Sequence, residues 1–176
     1  MMPAARPFRL PASVIACVLA AGLAAFAPAA AAAKDSLGVF SDWGAFRDRD
    51  TPRCYAIAKA APSSQQRDHN PFASVGTWPA RKVRNQIHFR LSRNLARGSS
   101  IELKVGTRSF ALTGSGGNAW AKDRRMDAAI VAAMRSANRM TVRAKDSRGR
   151  NFSNTYDLDG AATAMDAATI GCARLG

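Results

Sequence analysis

The chain has 176 residues, of which 26 are Lys or Arg and 12 are Asp or Glu, so its formal net charge is +14. This length allows one domain, or at most one domain with appendages. A chain of this size can bury roughly two-thirds of the surface that its unfolded form exposes, so folding needs no metal. The strong positive charge points to anionic partners.

Residues 1–33 have the features of a secretory leader. Arg6 and Arg9 precede an apolar stretch, and an Ala31-x-Ala33 sequence follows it. We therefore predict a signal peptide that is cleaved near Ala33, and a periplasmic or secreted protein. A retained membrane anchor is the alternative, although the apolar stretch is short for a span. Cleavage removes two of the 26 basic residues and none of the 12 acidic ones, which leaves a charge of +12.

The mature part, residues 34–176, is predicted to be a single β-rich domain. Its clearest strand is 83–92, where Ile87, Phe89 and Leu91 face one way and polar residues face the other. The other predicted strands, the first of them straight or bent, are 37–48, 54–60, 72–80, 101–105, 108–113, 139–146 and 151–158. Segments 61–71 and 114–118 are predicted to be loops, the second of them flexible.

Two helices are predicted among these strands. In 123–138, apolar residues recur at helical spacing behind Asp123, a suitable N-cap. The second predicted helix is 159–172. Seven or eight short strands with two helices predict a mainly β fold, an antiparallel β-sandwich or small β-barrel, rather than a doubly wound α/β fold.

Two cysteines, Cys54 and Cys172, remain after removal of the leader. An even number of cysteines in an oxidising compartment predicts a disulfide. This bond would link the last helix covalently to an early strand. The alternative is a catalytic thiol, for which His69 and His88 are the available bases. No spacing of Cys and His suggests zinc, and we predict neither a metal nor another cofactor.

Several short motifs resemble the invasion-associated locus B family of small exported alphaproteobacterial proteins. They are "FSDWG", "CYA", "KVGTRSFAL", "DAAIVAAM" and "YDLDGAATAM", and the resemblance extends over 37–172. It implies a signal peptide, a β-rich fold, a periplasmic, surface or secreted location and, for some members, a part in the invasion of host cells. It implies no catalytic site. The matching residues look structural: Trp43, Cys54, Tyr55, Phe110, Leu112, Tyr156, Leu158, Gly160 and Cys172.

The basic residues give the main hypothesis for a binding site. Arg84, His88 and Arg90 share the outward face of one predicted strand, and Arg143 and Lys145 that of another. If the two strands are neighbours, these five residues form one cationic surface for an anionic envelope or host component, such as lipopolysaccharide or an acidic glycan. Peripheral contact with an anionic membrane fits the same charge. The alternative is a solubilising surface without a specific target.

Aromatic residues do not support a nucleic-acid partner. Phe89 and Phe110 are predicted to face the core, so the stacking platform for single strands is missing. Trp43, Trp78 and Trp120 are expected to pack in the core or at its rim rather than to form a sugar platform.

We therefore predict an exported, non-enzymatic binding protein. Two alternatives remain open: a small periplasmic hydrolase without a recognisable motif, and a structural envelope or stress protein. Ser92, His88 and Asp68 are the candidates for a catalytic triad in such a hydrolase, but no Gly-x-Ser-x-Gly nucleophile elbow supports it.

Overall fold

A computed structural model describes residues 34–173, and the predicted leader lies outside them. The strands are β1 (Asp35–Phe40), β2 (Trp43–Asp48), β3 (Arg53–Lys59), β4 (Phe72–Trp78), β5 (Val83–Arg90), β6 (Ile101–Val105), β7 (Arg108–Ser115), β8 (Asn118–Trp120), β9 (Arg139–Lys145) and β10 (Asn151–Asp157). The helices are α1 (Arg124–Met134) and α2 (Ala161–Ala173), and a 3-10 turn, Pro79–Arg81, follows β4. The predicted mainly β, antiparallel fold with two helices is confirmed.

All ten strands belong to one open sheet, in the order β1-β2-β3-β4-β5-β8-β7-β6-β9-β10. Every neighbouring pair is antiparallel. The sheet curves so that β10 reaches the middle strands: the rings of Phe89 and Tyr156 lie 5.8 Å apart in the core. In addition, the N–H of Ala61, which follows β3, donates to the carbonyl of Thr155 on β10 at 2.8 Å. The core therefore lies between the two halves of a single sheet.

Two segments that were predicted to be a single strand and a loop form hairpins instead. The single strand predicted over 37–48 is β1 and β2, joined at Ser41, whose φ is 50°. The loop predicted over 114–118 is a tight turn at Gly116 and Gly117 between β7 and β8. Both turns use positive φ angles, and Gly116 accommodates such an angle readily whereas serine does so less often.

The helices cover the inner face of the sheet. Helix α2 packs on β1 to β4, and α1 packs on β5 to β7. Asp123 caps α1 as predicted, because its side chain accepts from the Met126 N–H at 2.8 Å. Helix α2 can approach closely because small residues, Ala161, Ala164 and Ala168, form its buried face.

A disulfide and a buried indole connect the two ends of the domain. Cys54 on β3 and Cys172 on α2 form the predicted disulfide, with Cα atoms 5.6 Å apart and a sequence separation of 118. Trp43, which is 0% exposed, donates from its ring N–H to the Asp157 carbonyl at 2.9 Å. The domain is thereby closed by a covalent bond and by a buried hydrogen bond.

A buried carboxylate orders the turn between β9 and β10. Asp146 is 2% exposed and accepts hydrogen bonds from the guanidinium groups of Arg93 and Arg150 at 3.0 and 2.9 Å. It also accepts from the backbone N–H groups of Arg148 and Arg150. Burial alone raises the pKa of the Asp146 carboxyl, but these hydrogen bonds outweigh burial and lower the pKa to about 2.

We expect a corresponding sensitivity to acid. Because the pKa of Asp146 in the folded protein lies below the value of about 3.9 for an unfolded Asp, its ionised form stabilises the fold at higher pH. That contribution is lost as the pH falls from about 4 to about 2. Asp146→Asn should be less stable at neutral pH and should lose less stability over that interval than the wild type. Urea midpoints of both proteins at several pH values measure this difference. The prediction would be contradicted if the midpoints of the wild type and of the variant fell in parallel with pH.

Candidate binding face

The five cations predicted to form one surface do not come together. Strands β5 and β9, which carry them, are separated in the sheet by β8, β7 and β6. With neighbouring strands about 4.8 Å apart, this places β5 and β9 about 19 Å apart along the sheet. That these residues bind an anion stays a prediction, but they do not form one continuous cationic surface.

Arg84 is also displaced from the outward face of its own strand. The pairing of β4 and β5 shifts register between Gly76 and Trp78, and Asn85 has a φ of 54°. This irregularity interrupts the alternation that the sequence predicts. Arg84 instead lines a cavity of about 630 Å³ together with Thr169 and Cys172 at the end of α2.

His88 behaves as an aromatic ring more than as a cation. Its ring stacks on Trp120 with centroids 5.3 Å apart and meets the edge of Phe72 at 5.6 Å. Burial lowers the pKa of His88, while a hydrogen bond with Asn118 opposes the shift. The imidazole is therefore mainly neutral near pH 7.

The other predicted cations form no ion pairs within the described residues. Among residues 34–173, no ion pair involves Arg84, Arg90, Arg143 or Lys145. Several acidic side chains are instead paired with other arginines: Asp35, Asp48, Asp146, Asp157 and Asp166. In the described part of the chain, Arg143 lies opposite Glu102 on β6 without forming an ion pair, whereas the cross-strand neighbours of Arg90, Phe72 and Asn118, are uncharged.

A group of rings on the outer face of the sheet was not anticipated from the sequence. These side chains alternate with inward-facing residues along β2 to β5 and β8, and each is half-buried. The inward residues are mostly small on β3, β4 and β8, and large on β5. The group, called the ring face below, consists of Phe46, Tyr55, Phe72, Trp78, His88 and Trp120. Trp43 lies in the core as expected, whereas Trp78 and Trp120 belong to the ring face.

Two glycines allow these rings to lie against the sheet. A Cβ atom placed on Gly44 would come within 2.7 Å of the Phe46 ring, and one placed on Gly76 within 2.6 Å of the Trp78 ring. Phe46 also stacks on Tyr55, with centroids 5.7 Å apart. The repeated Gly-x-aromatic pattern in "GAF" and "GTW" is the sequence feature that could have revealed this arrangement.

An open groove of about 760 Å³ runs across the same face. Phe46 and Phe72 are among its lining residues, as are Gly44 and Ile57 between them in the sheet. Val39, at its β1 side, is 71% exposed. The ring face therefore combines accessible apolar surface with a depression that can hold an elongated ligand.

The candidate hydrolase triad considered in the sequence analysis is not assembled in the structure. Ser92 is 2% exposed, and its hydroxyl accepts from the Asn154 amide at 2.8 Å. His88 instead bonds Asn118, at 3.0 Å. In the described part of the chain, no three His, Cys, Asp or Glu side chains gather as a possible metal site. Neither described helix is long and apolar enough to span a membrane.

The fold and the site define a small, disulfide-closed β-domain with an aromatic outer face. The chain belongs to the invasion-associated locus B family, because the family model described as "Invasion associated locus B (IalB) protein" matches residues 45–169. The predicted resemblance is thus confirmed. Neither a search of curated proteins nor a search of solved structures returned a match.

Proposed function

We propose that this chain is an exported, non-enzymatic protein of the cell envelope or of the host interface, and that it acts by binding an anionic component. The observation that carries the proposal is the charge of Arg90, Arg143 and Lys145 on the outer sheet face, where none of the three forms an ion pair within the described residues. Cations that are not held in an ion pair remain available to attract an anion.

Family membership supports the same function. The family's description refers to invasion, a process that requires contact with an outer surface. The predicted signal peptide would deliver the protein to the envelope or beyond it, where phosphorylated lipids and acidic glycans present the anionic groups that such cations recognise.

The test compares three double variants that each remove two positive charges. Arg84→Gln/Arg90→Gln alters β5, Arg143→Gln/Lys145→Gln alters β9, and Arg97→Gln/Arg148→Gln alters exposed turns as the control. Purified oxidised wild type should be retained on heparin and on immobilised lipopolysaccharide at low salt, and it should elute as salt rises. Each lost contact should lower the slope of log K against log salt by on the order of one.

At least one sheet variant should elute earlier than the control variant. Equal elution of all three variants would show that only net charge matters, and the specific site would be rejected. Failure of the wild type to bind either polyanion at low salt would overturn the proposed function itself.

A further inference from the structure

The ring face carries polar side chains as well as rings. Between the rings, neutral polar residues face outward on the same strands: Ser74 is opposite His88, and Asn118 is opposite Arg90. Thr113 is opposite Trp120. Side chains opposite one another on neighbouring strands are close enough to contact a single ligand. The face therefore alternates apolar ring surface with hydrogen-bonding groups.

We propose that the ring face and its groove bind an acidic glycan, an inference that rests on the proposed function and names its ligand class. The C–H faces of sugar rings pack on aromatic faces, whose π electrons are negative. Phe46 and Phe72 flank the groove, so a glycan chain in it contacts both rings. Ser41 and Asn70, which also line the groove, offer hydroxyl and amide groups to the sugar hydroxyls.

The acidic character of the ligand follows from the positive charge on the strands that flank Phe72. Lys59 on β3 and Arg90 on β5 are the direct cross-strand partners of Phe72, one on each side. Neither forms an ion pair among residues 34–173. A carboxylate or sulfate on a sugar stacked on Phe72 lies within reach of the Lys59 ammonium group, which lines the groove with it. The Arg90 guanidinium lies against Gly117, on the other side of β5, and adds positive charge at a longer distance.

The composition of the groove favours a glycan over a single-stranded nucleic acid. Asp42 lines the groove, and no ion pair involving it occurs in the described chain. A carboxylate accepts hydrogen bonds from sugar hydroxyls, but it repels a backbone that carries a phosphate at every residue. Lys59 is the only cation among the described lining residues of the groove, rather than one of a continuous track, which suits a polymer with spaced charges.

The dimensions suit an oligosaccharide. The outer positions of β2, β3, β4, β5 and β8 are consecutive in the sheet. Five neighbouring strands span about 19 Å at their usual spacing, which is the length of several linked sugars. The site therefore takes a segment of a polymer rather than a single monosaccharide.

The test measures binding of hyaluronan oligosaccharides, which carry one carboxylate per disaccharide, to the oxidised full chain by calorimetry. Phe46→Ala and Phe72→Ala should each weaken binding roughly two- to tenfold, because each removes one stacked ring. Lys59→Gln should also weaken it and lower its salt dependence. Phe110→Ala is the matched control: this half-buried ring packs against the core, and its loss should leave affinity unchanged.

A second measurement, of tryptophan fluorescence, tests the same site without removing an aromatic ring. Trp78 and Trp120 lie on the ring face whereas Trp43 is buried, so the glycan should change the tryptophan fluorescence of the wild type. Trp78→Phe/Trp120→Phe, which keeps both aromatic rings, should retain affinity and lose most of this change. An unchanged fluorescence at saturation would overturn the assignment of the glycan to this face.

The remaining outcomes separate the two proposals. Salt-dependent binding of hyaluronan or lipopolysaccharide that is unaffected by both Phe variants would overturn the ring face and leave the proposed function standing. Equal affinity for a neutral maltose oligosaccharide would overturn the acidic ligand. Tighter, ring-dependent binding of poly(dT) would replace the glycan by a nucleic acid, and failure of every polyanion to bind would overturn both proposals.

Discussion

Replacing both cysteines, as Cys54→Ala/Cys172→Ala, should lower the free energy of unfolding by about 4 kcal/mol. The disulfide closes a loop with a sequence separation of 118, so its loss frees most of the domain in the unfolded state. Because the unlinked chain is more expanded when unfolded, the dependence of stability on urea should also become steeper. Urea titrations followed by far-UV circular dichroism measure both quantities.

The control separates the covalent link from the packing around it. Wild type under strong reductant keeps both sulfur atoms in the buried positions that Cys54 and Cys172 occupy. It should therefore lose nearly as much stability as the double variant, since only the cross-link is missing. A loss below about 1 kcal/mol in both samples would show that the disulfide constrains little, in contrast to the usual effect of a long closed loop.

Local periodicity was sufficient to predict most of the fold. The alternation in 83–92 gives the inner residues Ile87, Phe89 and Leu91 correctly, and all three are 0% exposed. The helical spacing behind Asp123 likewise predicts α1 and its cap. In both cases the decisive interactions are close in sequence, or depend only on which side of an element is apolar.

The hairpin turns were harder to predict, because their sequence signals are weak. Ser41-Asp42 joins β1 to β2 without the glycine or asparagine that a two-residue turn usually contains. In "GSGGN" the glycines do permit a turn, but their number suggested a mobile loop. The bends are fixed by the pairing of the flanking strands, which is a tertiary property.

The candidate site depends on strand order, which the sequence does not reveal. The cations of β5 and β9 would be adjacent only if those strands were neighbours, and three strands separate them. The ring face was missed for a different reason: Phe46 and Trp78 alternate outward from small residues such as Ala45 and Val75, although large rings are usually expected in a core. On β3 and β4 the inner positions are mostly small because helix α2 packs against them.

Gly160→Ala should be among the most destabilising single substitutions, with a loss of about 4 kcal/mol that combines backbone strain and overpacking. Gly160 precedes α2 with a φ of +79°, which disfavours any residue with a Cβ atom. A Cβ at this position would also overlap the backbone carbonyl of Phe40 at the end of β1. A backbone atom cannot move aside as a side chain can, so β1 and α2 would have to separate.

Gly149→Ala is the matched control for the backbone angle alone. Gly149 has a φ of +76°, and no atom lies within 4 Å of a Cβ built there. Its substitution should therefore lose only about 1 kcal/mol from the left-handed conformation. Urea unfolding of both variants measures the difference, which isolates the contact between Gly160 and Phe40. Equal losses would show that this contact adds nothing, and that α2 can shift away from β1 without loss of packing energy.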